Sequence, residues 1–358
     1  MSAVVSTPSP ARVAVIAGAT GAVASRLVEH LNGLGWTVVG LCRTPPAASG
    51  RVRYVNTDLL DATSVRAALA GVPGITHIFY AARAKFREGG TESVAENVAM
   101  LRNLLDAAEP HGATLEHVHL VEGGKWYGQH LGPYPTPSRE DDPRHMPPNF
   151  YYEQEDLLRD RQKGRNWAWS ASRPNAICDF APDRARNIVS IVGAYAAICR
   201  ELGLRLDYPG HPLQFRALTE VTDATHLARA ITFLATAPSA ANTAFNVTNG
   251  DVFRWERLWP RIAEFFGLEV GIVRMMSLAD MMRDKDDVWA AIVSKRGLVP
   301  RRLADIAQWS FADVLLRQTF DVVSSTTKLR RAGFSEIVDT EEMFLAHLAR
   351  YREARIIG

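Results

Sequence analysis

The stretch Arg12-Val-Ala-Val-Ile-Ala-Gly18-Ala-Thr20-Gly21-Ala-Val-Ala24-Ser-Arg-Leu-Val-Glu-His-Leu31 constrains this chain more than any other. A short apolar run suited to a buried parallel strand gives way to small residues. The pattern then turns amphipathic, with Val23, Leu27, Val28 and Leu31 on one helical face. Glycines at 18 and 21 let the backbone turn tightly and approach a pyrophosphate, which the amides of a helix N-terminus bind. Ala24 takes the third glycine's place, where strand and helix need only pack closely. Strand, turn and helix together supply the context that a glycine pattern alone lacks.

The next hundred or so residues repeat that unit. Trp36–Cys42 reads as a second buried strand, Val52–Asn56 as a third, Thr76–Ala82 as a fourth and Glu116–Val121 as a fifth. Helical stripes separate them, one through Val65, Leu69 and Val72 and one from Ser93 to Ala108. Such alternation predicts an α/β fold with a Rossmann-type, doubly wound parallel sheet, whose ligands lie at the carboxyl ends of the strands. A sixth strand is expected across Trp167–Ile177, and beyond Cys178 the rhythm breaks into longer helices. At 358 residues two domains are expected. Residues 1–178 form the nucleotide-binding domain, to which 220–250 return, and 179–358 form a mainly helical substrate-binding cap. Trp289, Trp309, Phe311 and Phe320 supply large apolar side chains to that cap.

Composition narrows the partners. With 47% hydrophobic and 22% charged residues and a net charge of +2, the chain reads as a soluble globular protein. It has no long Lys/Arg block, which argues against nucleic acid. Cys42, Cys178 and Cys199 have neither metal-ligand nor disulfide spacing and suit a reducing cytoplasm. The first eleven residues lack a basic stretch before an apolar core and read as a loose tail, not a signal peptide. The apolar run Ile188–Cys199 is too short to span a bilayer. His117 and His119 alternate on a strand without a ligand-like carboxylate nearby, which predicts structural or solvent-facing roles and no metal.

The chemistry-bearing residues lie at the strand ends. Arg43 follows the second strand with no acid beside it, which favours the 2′-phosphate of NADPH over the free ribose of NADH. Arg51 and Arg53 are alternative sources of that charge. A reductase on such a sheet needs an acid to hydrogen-bond a substrate oxygen, and a cation to tune it. The usual Tyr with Lys four residues later is absent, since Glu155 follows Tyr151 and Asp156 follows Tyr152 at that offset. Lys125, just beyond the fifth strand, offers a replacement within reach of a tyrosine on the next helix.

The phrases Gly-Gly-Lys125-Trp-Tyr, Asn149-Phe-Tyr-Tyr-Glu-Gln-Glu-Asp156, Ser172-Arg-Pro-Asn-Ala-Ile177, Ala194-Tyr-Ala-Ala-Ile-Cys199 and Ala244-Phe-Asn-Val-Thr-Asn-Gly-Asp-Val-Phe-Arg-Trp255 resemble one family. It is the progesterone 5β-reductase/iridoid synthase family of atypical short-chain dehydrogenases, and the resemblance runs from about Val13 to the C-terminus. It implies that Lys125 and Tyr151 are catalytic. It further implies NADPH at Thr20, Gly21 and Ala22, its 2′-phosphate on Arg43 and Thr44, and adenine by Asp58 and Leu59. Ala81 and Ala82 would line the cofactor and Ile177 the nicotinamide. A homodimer is implied as well. Arg83 stands where the family often has an aromatic, and the segment after Lys125 is longer than usual, so a substrate other than a steroid is expected. Arg83, Trp126, Tyr127 and Trp309 are the candidate pocket residues, Arg83 suiting a carboxylate or polar group.

The resulting expectation is NADPH-dependent 1,4-reduction of α,β-unsaturated carbonyls. Tyr151 would stabilise the enolate, and Lys125 would hold Tyr151 and favour its anionic form through nearby positive charge. A carbonyl 1,2-reductase uses the same residue types and stands as the alternative. A non-enzymatic NADPH sensor would need neither Lys125 nor Tyr151.

Overall fold

The computed structural model describes residues 12–47, 50–86 and 91–358. The N-terminal tail and Arg87, which follows the candidate Arg83 and Lys85, lie outside the described residues. Eleven strands order the described residues. They are β1 (Val13–Ala17), β2 (Thr37–Cys42), β3 (Val52–Asn56), β4 (His77–Tyr80), β5 (His117–Val121), β6 (Ala168–Arg173), β7 (Ile177–Cys178), β8 (Leu206–Tyr208), β9 (Thr222–Asp223), β10 (Thr243–Asn246) and β11 (Val270–Val273). Seven of them form one sheet in the order β10-β6-β5-β4-β1-β2-β3, with parallel ladders from β6 through to β3. The order reverses between β1 and β4, which places a crevice at their carboxyl ends.

By internal contact the chain resolves into two units of three segments each. The first holds Met1–Glu122, Pro147–Ser172 and Ala228–Ala244, and the second Gly123–Met146, Arg173–Leu227 and Phe245–Gly358. In the first, helices α1 (Ala22–Gly33), α2 (Ala62–Ala70), α3 (Val94–Ala108) and α4 (Phe150–Gln162) follow strands, as the apolar periodicity predicts. Short side chains start them. Asp61 caps α2, Ser93 caps α3 and Asn149 caps α4, each accepting from a backbone amide within the first turn. The core gathers Val15, Val39, Ile78, Val118 and Leu120 with Val65, Leu69, Leu101, Leu104 and Leu158.

One face of this sheet carries an unexpected polar ladder. Both His117 Nε2 and His119 Nδ1 lie 2.7 Å from Ser170 Oγ, and His119 Nε2 lies 3.0 Å from Ser172 Oγ. The two imidazoles are buried, so the solvent-facing alternative is corrected. Alternation gave the shared face but not its cover. Among the described residues no cluster of ligating side chains could hold a metal ion.

The second unit is helical, built on α5 (Ile188–Glu201), α6 (Pro212–Arg216), the start of α7 (Ala224–Thr236), α8 (Trp255–Phe266), α9 (Leu278–Met281), α10 (Asp286–Arg296), α11 (Leu303–Ile306), α12 (Trp309–Leu316), α13 (Thr327–Ala332) and α14 (Thr340–Glu353). α5 is buried nearly throughout, so its apolar run is a core helix. Packed with it are Trp255, Trp259, Trp289, Phe344 and Tyr351. Two short parallel pairs, β7 with β9 and β8 with β11, go beyond the elements the pattern predicts. The expected sixth strand stops at Arg173, because Pro174 cannot donate to a ladder, and the chain resumes as β7 against β9. Among the described residues no helix is long and apolar enough to cross a membrane.

Candidate active site

The glycine turn after β1 is shaped by close backbone approach. Gly18 has φ +77°, and a Cβ there would lie 2.9 Å from Ala82 Cα and 3.0 Å from Ala81 O. Only glycine meets both demands. The turn is thereby seated against the end of β4, and the Ala81 amide donates to Ala17 O at 3.1 Å. Gly21 begins α1 with no side-chain cap and no acid in the first turn, which leaves the helix amides for an anion. Thr20 and Ala22 flank it, and Ala24 is fully buried, as its packing role requires.

Beyond β2, Arg43 is exposed and its guanidinium has no hydrogen bond or ion pair among the described residues. Arg51 and Arg53 instead donate to the carbonyls of Gly35 at 2.8 Å and Gly71 at 3.4 Å. Of the three arginines weighed for the phosphate, Arg43 is the one left open. Thr44 is exposed beside it. Asp58 is exposed and accepts from the Leu60 amide at 3.0 Å, while Leu59 is buried.

The same unit holds Tyr151, on the first turn of α4, where the Asn149 cap accepts its amide at 3.0 Å. Its hydroxyl makes no hydrogen bond among the described residues. Burial raises its pKa above the ordinary phenol value, Glu92 and Glu122 raise it further, and Arg83 opposes them. These influences favour the neutral phenol, a hydrogen-bond donor, and work against the anionic form that Lys125 is expected to favour. Arg83 is not a free cation for a substrate, because it pairs with Glu92 at 3.1 Å and lies over the Phe86 ring.

Two residues that the sequence did not single out hold this arrangement. Buried Asn97 accepts the Ala84 amide at 2.9 Å through its side chain, and its carbonyl accepts from Gln154 Nε2 at 2.8 Å. The loop after β4, α3 and the helix of Tyr151 are thus tied at one point. Asn97 falls within an otherwise apolar stripe, which was the available signal.

The second unit carries Lys125, Trp126, Tyr127, Ile177 and Trp309. Lys125 is half-buried in a 3-10 turn, Gly124–Tyr127. Trp126 and Tyr127 are buried around Arg173, whose guanidinium lies 3.6 Å from the Trp126 ring centroid and donates to Tyr127 Oη at 3.2 Å. Tyr127 in turn donates to Asn246 Oδ1 at 2.6 Å. Ile177 is half-buried in β7, and Trp309 packs against the helical core.

Within that unit a small cavity is lined by Gln129, Asn175, Gln214, Glu220, Trp255 and Leu315 among others. Trp126, Tyr127 and Trp309 do not line it. Glu220 is its buried acid, accepting from Asn175 Nδ2 at 3.0 Å and from the Ser324 amide at 2.8 Å. Burial outweighs these bonds and pushes its carboxyl up to about 7. Nothing in the sequence around Glu220 marks it, since its partners Asn175 and Ser324 come from distant segments.

Comparison with known proteins places these observations. The model of the PRISE-like Rossmann-fold domain matches residues 53–358. The (S)-8-oxocitronellyl enol synthase of Catharanthus roseus is 36% identical over 363 residues, covering 96% of this chain and 92% of its own. The 3-oxo-Delta(4,5)-steroid 5-beta-reductase of Arabidopsis thaliana is 34% identical over 368 residues, with 96% and 93% covered. Among solved structures, a short-chain dehydrogenase/reductase superfamily protein from Agrobacterium tumefaciens with bound NAD superposes with TM-score 0.66 at 18% identity, covering 96% of this chain and 98% of that one. This last likeness shows the fold alone.

Proposed function

The chain belongs to the PRISE-like Rossmann-fold family, and from that premise we propose that it reduces carbon–carbon double bonds conjugated to a carbonyl, with NADPH as reductant. The names of the two relatives carry the bond type. A 5β-reductase of a Δ4,5 3-oxo-steroid saturates a conjugated double bond. An enol is what 1,4-addition of hydride to an unsaturated carbonyl leaves, whereas 1,2-addition leaves an alcohol.

The residues present suit a nicotinamide dinucleotide. Gly18 leaves a cradle that a Cβ would fill, the α1 amides are uncapped, and the Arg43 guanidinium is open for a 2′-phosphate. Thr20, Gly21, Ala22, Thr44, Asp58, Leu59, Ala81, Ala82 and Ile177 complete the proposed contacts. When bound, the nicotinamide supplies hydride to the substrate β-carbon.

The observation that carries the reading is the Tyr151 hydroxyl, which has no hydrogen-bond partner among the described residues. A phenol held neutral, with its hydroxyl proton uncommitted, is suited to donate to a carbonyl oxygen on which negative charge develops. Burial favours the protonated form, and the nearby acids Glu92 and Glu122 add to it. Asn97 and Gln154 fix the helix that presents it. Lys125 is proposed as the cation that stabilises the developing oxyanion charge. The three cysteines are buried and unpaired, which suits the cytoplasm, and the family likeness implies a homodimer.

Incubation of the protein with NADPH and separate panels of enones, enals, ketones and saturated aldehydes, followed by product identification, tests the proposal. Saturated carbonyls are expected. Allylic alcohols from the enals would overturn it in favour of 1,2-reduction. Tyr151→Phe should lower kcat/KM about 100- to 1,000-fold, the cost of losing one such donor, and leave NADPH binding intact.

A further inference from the structure

Four helices of the second unit, α5, α8, α10 and α14, end around one open cavity of about 570 Å³. Its lining includes Arg200, Arg296, Arg352 and Arg355, with the carboxylates of Glu264 and of the final residue, Gly358. Each helix C-terminus contributes roughly half a negative charge, so four of them offset about two of the positive ones. Glu264 and the Gly358 carboxylate offset about two more, so the cluster has no surplus charge. What it leaves open is hydrogen-bond donors.

Arg200 Nη1 reaches Phe266 O at 3.5 Å, but its Nε and Nη2 are buried with no acceptor. Burial and the neighbouring Arg296 and Arg352 push Arg200 below the ordinary guanidinium range. Arg352 donates to Phe265 O at 2.8 Å and stacks at 3.8 Å on the Phe265 ring, which fixes its plane. The side chains of Arg296 and Arg355 have no hydrogen bond or ion pair among the described residues, and Gly358 at the cavity makes no ion pair with any of the four. Arg355 also holds φ +54°, a conformation that glycine adopts at lower cost.

We propose that this cavity binds a phosphate-bearing small molecule, at a site separate from the glycine turn after β1. Guanidinium groups bind phosphate oxygens through paired N–H donors, and buried donors of Arg200 are left to complete that set. The volume falls within the range of small-molecule sites and accommodates more than a single phosphate.

Calorimetry on the full chain, saturated with NADPH so that the nucleotide turn is occupied, should detect inorganic pyrophosphate binding at low salt. Arg296→Gln with Arg355→Gln, both exposed and free to change without unfolding the chain, should weaken it tenfold or more. Arg200→Gln should do the same, the turn after β1 being filled by NADPH throughout. ATP titrated in parallel identifies whether a nucleotide or a bare diphosphate is preferred, either result supporting the site. No pyrophosphate or ATP binding, binding indifferent to the three arginines, or association only with vesicles containing phosphatidic acid would overturn the proposal.

Discussion

Both units bury acids and bases, but the groups with the largest shifts among their histidines and carboxylates should tie stability to pH with opposite sign. In the first those groups are bases. His77, His117 and His119 lie on its sheet, and burial is the main cause that lowers all three, His77 to about 4 and His117 to about 3. The second buries an acid, Glu220, raised to about 7. The difference comes from what covers each group. The imidazoles sit among Trp36, Phe79 and the hydroxyls of Ser170 and Ser172, which hydrogen-bond a neutral ring. Glu220 has an amide and Asn175 as donors, yet no cation among the described residues hydrogen-bonds or pairs with it.

The largest expected effect is in acid. A histidine whose folded pKa is depressed binds its proton more readily in the unfolded chain, so stability is full above pH 6.5 and is lost as pH falls toward 4 and 3. A tenfold difference in proton affinity is worth about 1.4 kcal/mol, which makes the loss from His77 alone on the order of 3 kcal/mol by pH 3. Chemical denaturation across pH 3–7 should show this fall, and His77→Gln should flatten its part of it. An unaltered slope in that variant would mean that the imidazole is not shielded as the sheet indicates.

Glu220 gives the reverse sign and a smaller effect. Its folded pKa is raised, so its contribution is full below about pH 4.5 and is lost as pH rises through 7. The expected cost at pH 8 is about 3 kcal/mol at most, since any opening of the cavity to water relieves it. Glu220→Gln should therefore gain stability relative to the parent between pH 5 and 8, in the same denaturation series. Between pH 4.5 and 6.5 the two units oppose each other, and only the paired variants separate them.

These buried groups mark the boundary of what sequence could reveal. Periodicity exposed β1 to β6 and α1 to α5 because each buries a continuous local face, and the caps Ser93 and Asn149 stand at their own helix starts. The turn from Gly18 to Ala24 was legible for the same reason, all its constraints lying within a few residues. Motif resemblance supplied Lys125 and Tyr151. Neither route reached Asn97 or Glu220, nor the enclosure of Trp126 and Tyr127 around Arg173, since their partners come from distant segments. What biases Tyr151 toward its neutral form was hidden on the same ground, since burial and then Glu92 and Glu122 act on it through space.

The smallest effect concerns a group the fold leaves open. Arg173 and Arg43 are both arginines next to strand ends, but Arg173 is enclosed by Trp126, Tyr127 and Glu140 O, whereas Arg43 is exposed and its side chain has no partner among the described residues. A residue with no structural partner costs no stability when truncated. Arg43→Ala should thus leave the unfolding midpoint unchanged within about 0.5 kcal/mol, as expected for a surface site away from caps and cores. If its guanidinium meets the 2′-phosphate, the same change should raise the Kd for NADPH roughly tenfold, about 1.4 kcal/mol, and leave that for NADH unmoved. Equal loss for both dinucleotides would place Arg43 on a phosphate they share, and no loss for either would move the NADPH preference to Thr44 or elsewhere.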